Sequence, residues 1–182
     1  MEQLVSLVLE AGAEKAVVIP VSQVVLSDTF FDICKSNACG NFGRCWMCPP
    51  DIGDIHELMA ELKTFRQGLL YQSIGTIEDS FDIEGMQDAA VRHAHLSQRV
   101  EAALAPVVGR HLHLSCGGCR LCETCAKRTG EPCRMPDKAL PPMEGYGIDV
   151  YQTCKDTHLK YINGQNTVTF FGIVMFDGEE KA

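Results

Sequence analysis

The segment Cys116-Gly117-Gly118-Cys119-Arg120-Leu121-Cys122-Glu123-Thr124-Cys125 repeats cysteine at every third residue, and its reading decides what fold can carry it. On an α-helix each such step turns about 300°, so these side chains drift around the axis and never converge. They converge only where the chain wraps as a loop, and Gly117 and Gly118 ease that path. The block, which runs on to Cys133-Arg134-Met135-Pro136, therefore sits on a loop at the end of a regular element.

Working outward, residues 111–115 alternate as a strand that leads directly into the block. Before it, residues 86–104 carry the longest helical pattern, through Met86, Ala90, His93, Leu96, Val100 and Leu104, with Pro106 just beyond. Residues 75–85 read as loop and 68–74 as a strand. Residues 54–67 read as a helix capped by Asp54, with Ile55, Leu58, Met59, Leu62 and Phe65 on one face. Residues 16–20 form a short buried strand, and residues 1–12 a helix closed by Gly12. Downstream, apolar runs at 159–162 and 167–176 flank Asn163-Gly164, which signals a hairpin. Strands alternating with helices predict an α/β or α+β fold, one small mixed sheet with helices packed on it. The expected organisation is a single metal-binding domain over residues 1–182, with cysteine loops at about 30–54 and 116–137.

Composition narrows the function. The chain opens without a basic and then apolar leader, and no apolar run approaches the roughly 18 residues of a membrane span. A cytoplasmic, reducing setting is expected, in which the ten cysteines act as metal ligands rather than disulfides. The net charge of −8 and the lack of a basic stripe argue against nucleic acid.

The second cysteine-rich segment lies upstream, as Cys34-x4-Cys39-x5-Cys45-x2-Cys48-Pro49-Pro50. Zinc sites join two Cys pairs across a longer segment, and the two residues between Cys119 and Cys122 are tight for that. Consecutive x2 spacings suit a ferredoxin-type iron–sulfur cluster instead, with zinc as the alternative.

These segments resemble a family of predicted metal-binding proteins. The likeness rests on Cys39-Gly40-Asn41-Phe42-Gly43 and Cys45-Trp46-Met47-Cys48-Pro49-Pro50, then Gly118-Cys119-x2-Cys122-x2-Cys125 and Pro132-Cys133-Arg134-x-Pro136. It continues through Pro142-Met143-Glu144 and Gly147-Ile148-Asp149-Val150 and covers most of the chain. The resemblance implies metal binding by cysteine and brings no particular reaction. It divides the cysteines into Cys34, Cys39, Cys45 and Cys48 for one site and Cys119, Cys122, Cys125 and Cys133 for another, enough for two [4Fe-4S] clusters. Crossed ligation is the other arrangement open to eight such ligands. A typical member lacks counterparts of Cys116 and Cys154, so these read as buried thiols, with Cys116 a spare ligand and Cys154 a reactive thiol as alternatives.

Arg134, Glu144 and Cys154 are the candidates for a catalytic pocket, Arg134 being equally suited to pairing with Asp137. Trp46 is placed to shield a cluster or to pack in the core. The pairs His111/His113 and His93/His95 read as structural before they read as ligands. The favoured expectation is electron transfer to a redox partner protein. The alternatives are an enzyme binding a small-molecule substrate at an open iron, and a zinc-stapled interaction module.

Overall fold

Alternation of side chains along two long strands builds the centre of the sheet. The structure, a computed structural model, describes residues 1–178. Strands β2 (Gln67–Thr76) and β4 (Thr167–Phe176) pair antiparallel along their whole length, Gln67 opposite Phe176 and Thr76 opposite Thr167. Strand β1 (Lys15–Pro20) flanks β2, and β3 (His111–Leu114) flanks β4, giving the order β1-β2-β4-β3. Every pairing is antiparallel, which corrects the mixed sheet expected. The helix between β2 and β3 carries the chain past β4, so β3 lands on the far edge and runs against it.

Successive strand residues point to opposite faces. Leu69, Tyr71, Val174 and Phe176 face helices α1 (Glu2–Glu10) and α4 (Ile83–Leu104), packing with Leu4, Val8, Leu96, Val100 and Leu104. Leu70, Phe171, Ile173 and Met175 face the other way, onto Leu58 and Leu62 of α3 (Ile55–Leu62) and onto Met143 and Ile148. The fold is thus α+β, with five helices among the described residues. Helix α2 (Thr29–Lys35) carries Cys34, and α5 (Val150–Cys154) ends on Cys154. Asp54 caps α3, its carboxylate accepting from His56 N at 2.9 Å and Glu57 N at 3.3 Å.

Residues 159–162 form no strand, contrary to the hairpin expected. A two-residue type I′ turn needs positive φ at both central positions. Here positive φ falls on Gly164 (126°) and Asn166 (56°), not on Asn163. Side chains hold the segment instead: Tyr161 stacks on Phe171, and Asn163 Nδ2 donates to Thr169 Oγ1 at 3.0 Å.

Gly172 lies opposite Tyr71 in the register, and the Tyr71 ring covers the place where a side chain would stand. A Cβ there would meet Tyr71 Oη at 2.2 Å and Cζ at 2.3 Å. The missing side chain lets Tyr71 reach across β4 to His113 on β3, 2.8 Å from its hydroxyl. Beside it, His93 Nε2 donates to Phe171 O at 3.1 Å, so its Nδ1 accepts from Ser73 Oγ at 2.7 Å. Burial holds the His93 pKa down to about 4.

Gly172→Ala should displace the Tyr71 ring and cost about 1–3 kcal/mol in urea denaturation. The His93 value lies below the ordinary 6.5, so the unfolded chain takes the proton first as pH falls. Stability should drop through the window from 6.5 to about 4, by up to about 3 kcal/mol from this group. His93→Gln should flatten that part of the pH dependence in denaturation curves compared with the wild type.

Candidate metal centre

All ten cysteines are free thiols. The second block leaves the end of β3 and returns to it: Ser115 N donates to Pro141 O at 2.9 Å, and Met143 N to Ser115 O at 2.8 Å. Gly117, at φ 61°, turns the chain inside this closed loop. The first block follows α2 and is folded by its own backbone, Gly43 N donating to Pro49 O at 2.9 Å and Cys48 N to Cys45 O at 3.0 Å. The Asn37 side chain adds a bond from Phe42 N at 3.0 Å. The loops touch closely at Gly118, where a Cβ would come within 2.6 Å of Asn41 Nδ2.

Two cavities divide the thiols, and not block by block. Cys34, Cys39 and Cys48 border a cleft of about 280 Å³ whose walls are Phe30, Ile33, Phe42 and Pro142, with Glu144 beside them. Cys45 turns away from these, toward a narrow cavity it shares with Cys119, Cys122, Cys125 and Cys133. That cavity measures about 20 Å³, and Cys45, Cys119, Cys122 and Cys125 also border an open cleft of about 530 Å³ with Asn41, Gly118 and Arg128. Cys45 lies beside the Cys48 and Cys125 thiols and the backbone of Met47 and Cys119. Cys45 is the more acidic of the pair and Cys48 keeps the proton, the Cys45 bond and burial both raising it. Burial pushes the thiols of Cys34 and Cys119 upward too.

Among the described residues, no three Cys, His, Asp or Glu side chains are grouped as around one metal ion. The donors border cavities rather than meet at a point. As a donor set they fit a soft metal: deprotonated thiols bind zinc or iron–sulfur centres, with proton release on binding.

The remaining candidates are placed as follows. Glu144 Oε2 accepts from Gly117 N at 3.3 Å, and burial raises its pKa. Cys116 lies near Glu144 with its pKa also raised, mainly by burial. Cys154 is in the core beside Leu159 and Phe171, and its thiol donates to Tyr151 O at 3.4 Å. Arg134 pairs with Glu131 at 3.1 Å rather than with Asp137, which corrects the partner expected, and it also reaches Cys122. His111 and His113 converge on Glu101, at 3.0 and 2.8 Å, and are taken up there. His93 is buried and bonded as described, whereas His95 is exposed. Trp46 pins the loops together: its Nε1 donates to Glu131 O at 2.9 Å, and Lys127 lies 4.0 Å over its ring while pairing with Asp51.

Sequence reasoning missed Ser97, Ser115, Tyr71 and Glu101 as a connected polar set. One signal was present, since His93, Ser97 and Glu101 recur at every fourth residue of α4, beside its apolar stripe.

An α+β framework presenting two cysteine loops that border shared cavities defines a cysteine-rich protein of the metal-binding type. The chain belongs to the predicted metal-binding protein family DUF2284, whose model matches residues 17–176. No curated protein and no solved structure matches the chain. No helix of the described residues is long and apolar enough to cross a membrane.

Because Trp46 spans the two loops and borders the cavity lined by Cys45, Cys119, Cys122, Cys125 and Cys133, metal loading should change its fluorescence. Stripping the metal with a chelator should restore the original emission, and Trp46→Phe should abolish the signal.

Proposed function

We propose that this chain is an iron–sulfur redox protein carrying two four-iron clusters and passing single electrons to a partner protein. Cys34, Cys39 and Cys48 would hold the outer centre. Cys119, Cys122, Cys125 and Cys133 would hold the inner one, with Cys45 standing between the two. The carrying observation is this position of Cys45, a first-block thiol beside Cys48 that lines the same cavity as Cys119, Cys122, Cys125 and Cys133. It supports two centres in close succession, as in crossed ligation of paired clusters. When bound, such clusters supply one-electron oxidation and reduction; the protein holds them, excludes water and brings the partner near. Trp46 and Lys127 cover the inner site, and the surface charge of −8 suits a basic partner face. Free thiols throughout suit a reducing compartment such as the cytoplasm.

A second reading, an enzyme with substrate at an open iron, is favoured by the outer cleft. Its three thiols leave one position of a four-iron cluster without a cysteine, and its apolar walls and Glu144 border that position.

Iron, zinc and acid-labile sulfide measured on protein purified without oxygen should give about eight irons and eight sulfides per chain. Zinc without sulfide would overturn the redox reading and leave a zinc-stapled module. Cys122→Ser should lose the inner iron and keep the outer, Cys34→Ser the reverse, and Cys45→Ser should disturb both.

A further inference from the structure

The loop that leads into α4 holds its aromatic side chain out in water. Phe81 is 85% exposed, and Ile83, the first residue of α4, is 58% exposed. The backbone around them is tied down. Asp82 accepts from Glu78 N at 2.9 Å with one carboxylate oxygen and from Gly85 N at 2.8 Å with the other. Asp79 accepts from Phe81 N at 2.7 Å, and Ile83 N donates to Phe81 O at 2.8 Å. At Gly85 any Cβ would overlap the Asp82 carboxylate, so glycine there lets the second of these bonds form. Phe81 thus stands on an ordered loop as a knob, and a backbone already ordered loses little further entropy when a partner covers it.

The knob opens onto one face of the helix. Ile83, Gln87 and Val91 recur at every fourth residue of α4, share a face about 12 Å long, and are all exposed. At the far end of that face, Gln87 and Val91 line the open cleft of about 530 Å³ together with Cys45, Cys119, Cys122 and Cys125. Single exposed apolar residues are common on any protein surface. Here a phenylalanine, an isoleucine and a valine lie in succession between a built loop and the cysteine cleft.

Charge decides what can cover this face. Residues 67–91 contain five carboxylates, Glu78, Asp79, Asp82, Glu84 and Asp88, and no lysine, arginine or histidine. Asp79 and Asp82 are used in building the loop. The carboxylates of Glu78, Glu84 and Asp88 belong to exposed residues and form no hydrogen bond or ion pair among the described residues. Like charge opposes a second copy docked knob to knob, and it opposes an anionic lipid surface. It favours lysine or arginine around an apolar hollow. Beyond Val91 the sign changes, since Arg120 and Arg128 line the cleft along with Glu123. A basic rim therefore fits at the knob and the first turns of α4 and no further along, which fixes the partner's orientation.

We propose that Phe81 and the exposed Ile83, Gln87 and Val91 face of α4 dock a protein partner that offers an apolar socket rimmed by lysine or arginine. Phe81 fills the socket, Glu78, Glu84 and Asp88 meet the rim, and the partner comes to lie over the cleft of Cys45, Cys119, Cys122 and Cys125. The docking needs no metal, whereas what the docked partner exchanges with the site rests on the redox reading.

The test replaces Phe81 by photoreactive p-benzoylphenylalanine in the full-length, metal-loaded protein inside its source cells, and the peptide linked on irradiation is sequenced. A matched protein carries the same group at Ile162, which is 75% exposed and next to Tyr161 on the other face of the sheet. Position 81 should link one protein other than this chain, through an apolar peptide flanked by lysine or arginine, and position 162 should not. With that partner purified, Phe81→Ser should weaken binding by at least about tenfold. Glu78→Gln, Glu84→Gln and Asp88→Asn together should weaken it and flatten its salt dependence. Both variants should keep the wild-type urea midpoint, because the replaced side chains are exposed. A link to a second copy of this chain, to lipid or to an acidic peptide would overturn the surface, as would no link at all or undiminished binding by Phe81→Ser. Those results leave the iron and sulfide contents, and with them the redox reading, untouched. Zinc without sulfide in a protein that still links its basic partner at position 81 would overturn the redox reading and support the surface.

Discussion

Ser115 is the point on which the cysteine site depends. Its N–H and C=O are bonded to Pro141 and Met143, so the whole second cysteine loop leaves and rejoins the framework at one residue. That residue is in turn positioned by β3, whose Leu114 is paired with Ile173 in the middle of the buried sheet. The loop can therefore be rich in glycine and cysteine, with little helix or strand of its own, and still hold its thiols in place. Immediately after the closure Met143 and Ile148 are buried in the core, and Glu144 is turned back toward Gly117. The closure thus sets the second block, a carboxylate and one edge of the outer cleft in a single step.

The same residue ends a polar chain on the opposite face of the sheet, from Glu101 through His113, Tyr71 and Ser97, and this ties two unlike parts of the molecule. A buried polar group without partners costs roughly 1–3 kcal/mol, so a chain of them in an apolar layer survives only when each link is satisfied. Here each is, because Gly172 leaves the space over β4 that Tyr71 needs. On the other face Gln72 is wholly buried with neither amide atom bonded. The fold carries that cost at one position and avoids it along the whole Glu101-to-Ser115 chain. Apolar side chains at Tyr71 and His113 would fill similar volumes, so packing alone gives no reason to keep these links polar.

The framework was legible where one local pattern governs: the amphipathic stripes of α1, α3 and α4, the cap at Asp54 and the strands around Leu70 and Leu114 all follow from periodicity. What local pattern did not reveal was partnership. Asn163-Gly164 reads as a hairpin turn, but no strand forms before it and the segment is held by Tyr161 stacking on Phe171, a contact outside the turn. The cysteines were legible as ligands by type and spacing, whereas the placement of Cys45 beside Cys119 and Cys125 is a property of two loops meeting in space. Likewise His111 and His113 invite a metal reading until Glu101, on a different element, is seen to accept from both.

Rigidity and adaptability are divided between the two regions. The sheet and its helices bury two continuous apolar cores, one on each face of the sheet, which is where folding free energy accumulates. The first cysteine loop is held mainly by turns and by Asn37, and Cys39 is exposed. Such a loop shifts at little cost as a centre is received between it and the second block. Binding to thiols adds its own free energy and releases their protons, so the metal completes an arrangement that the framework leaves poised. The stable half of the molecule thus fixes where the site is, and the ligand that the site receives fixes its final shape.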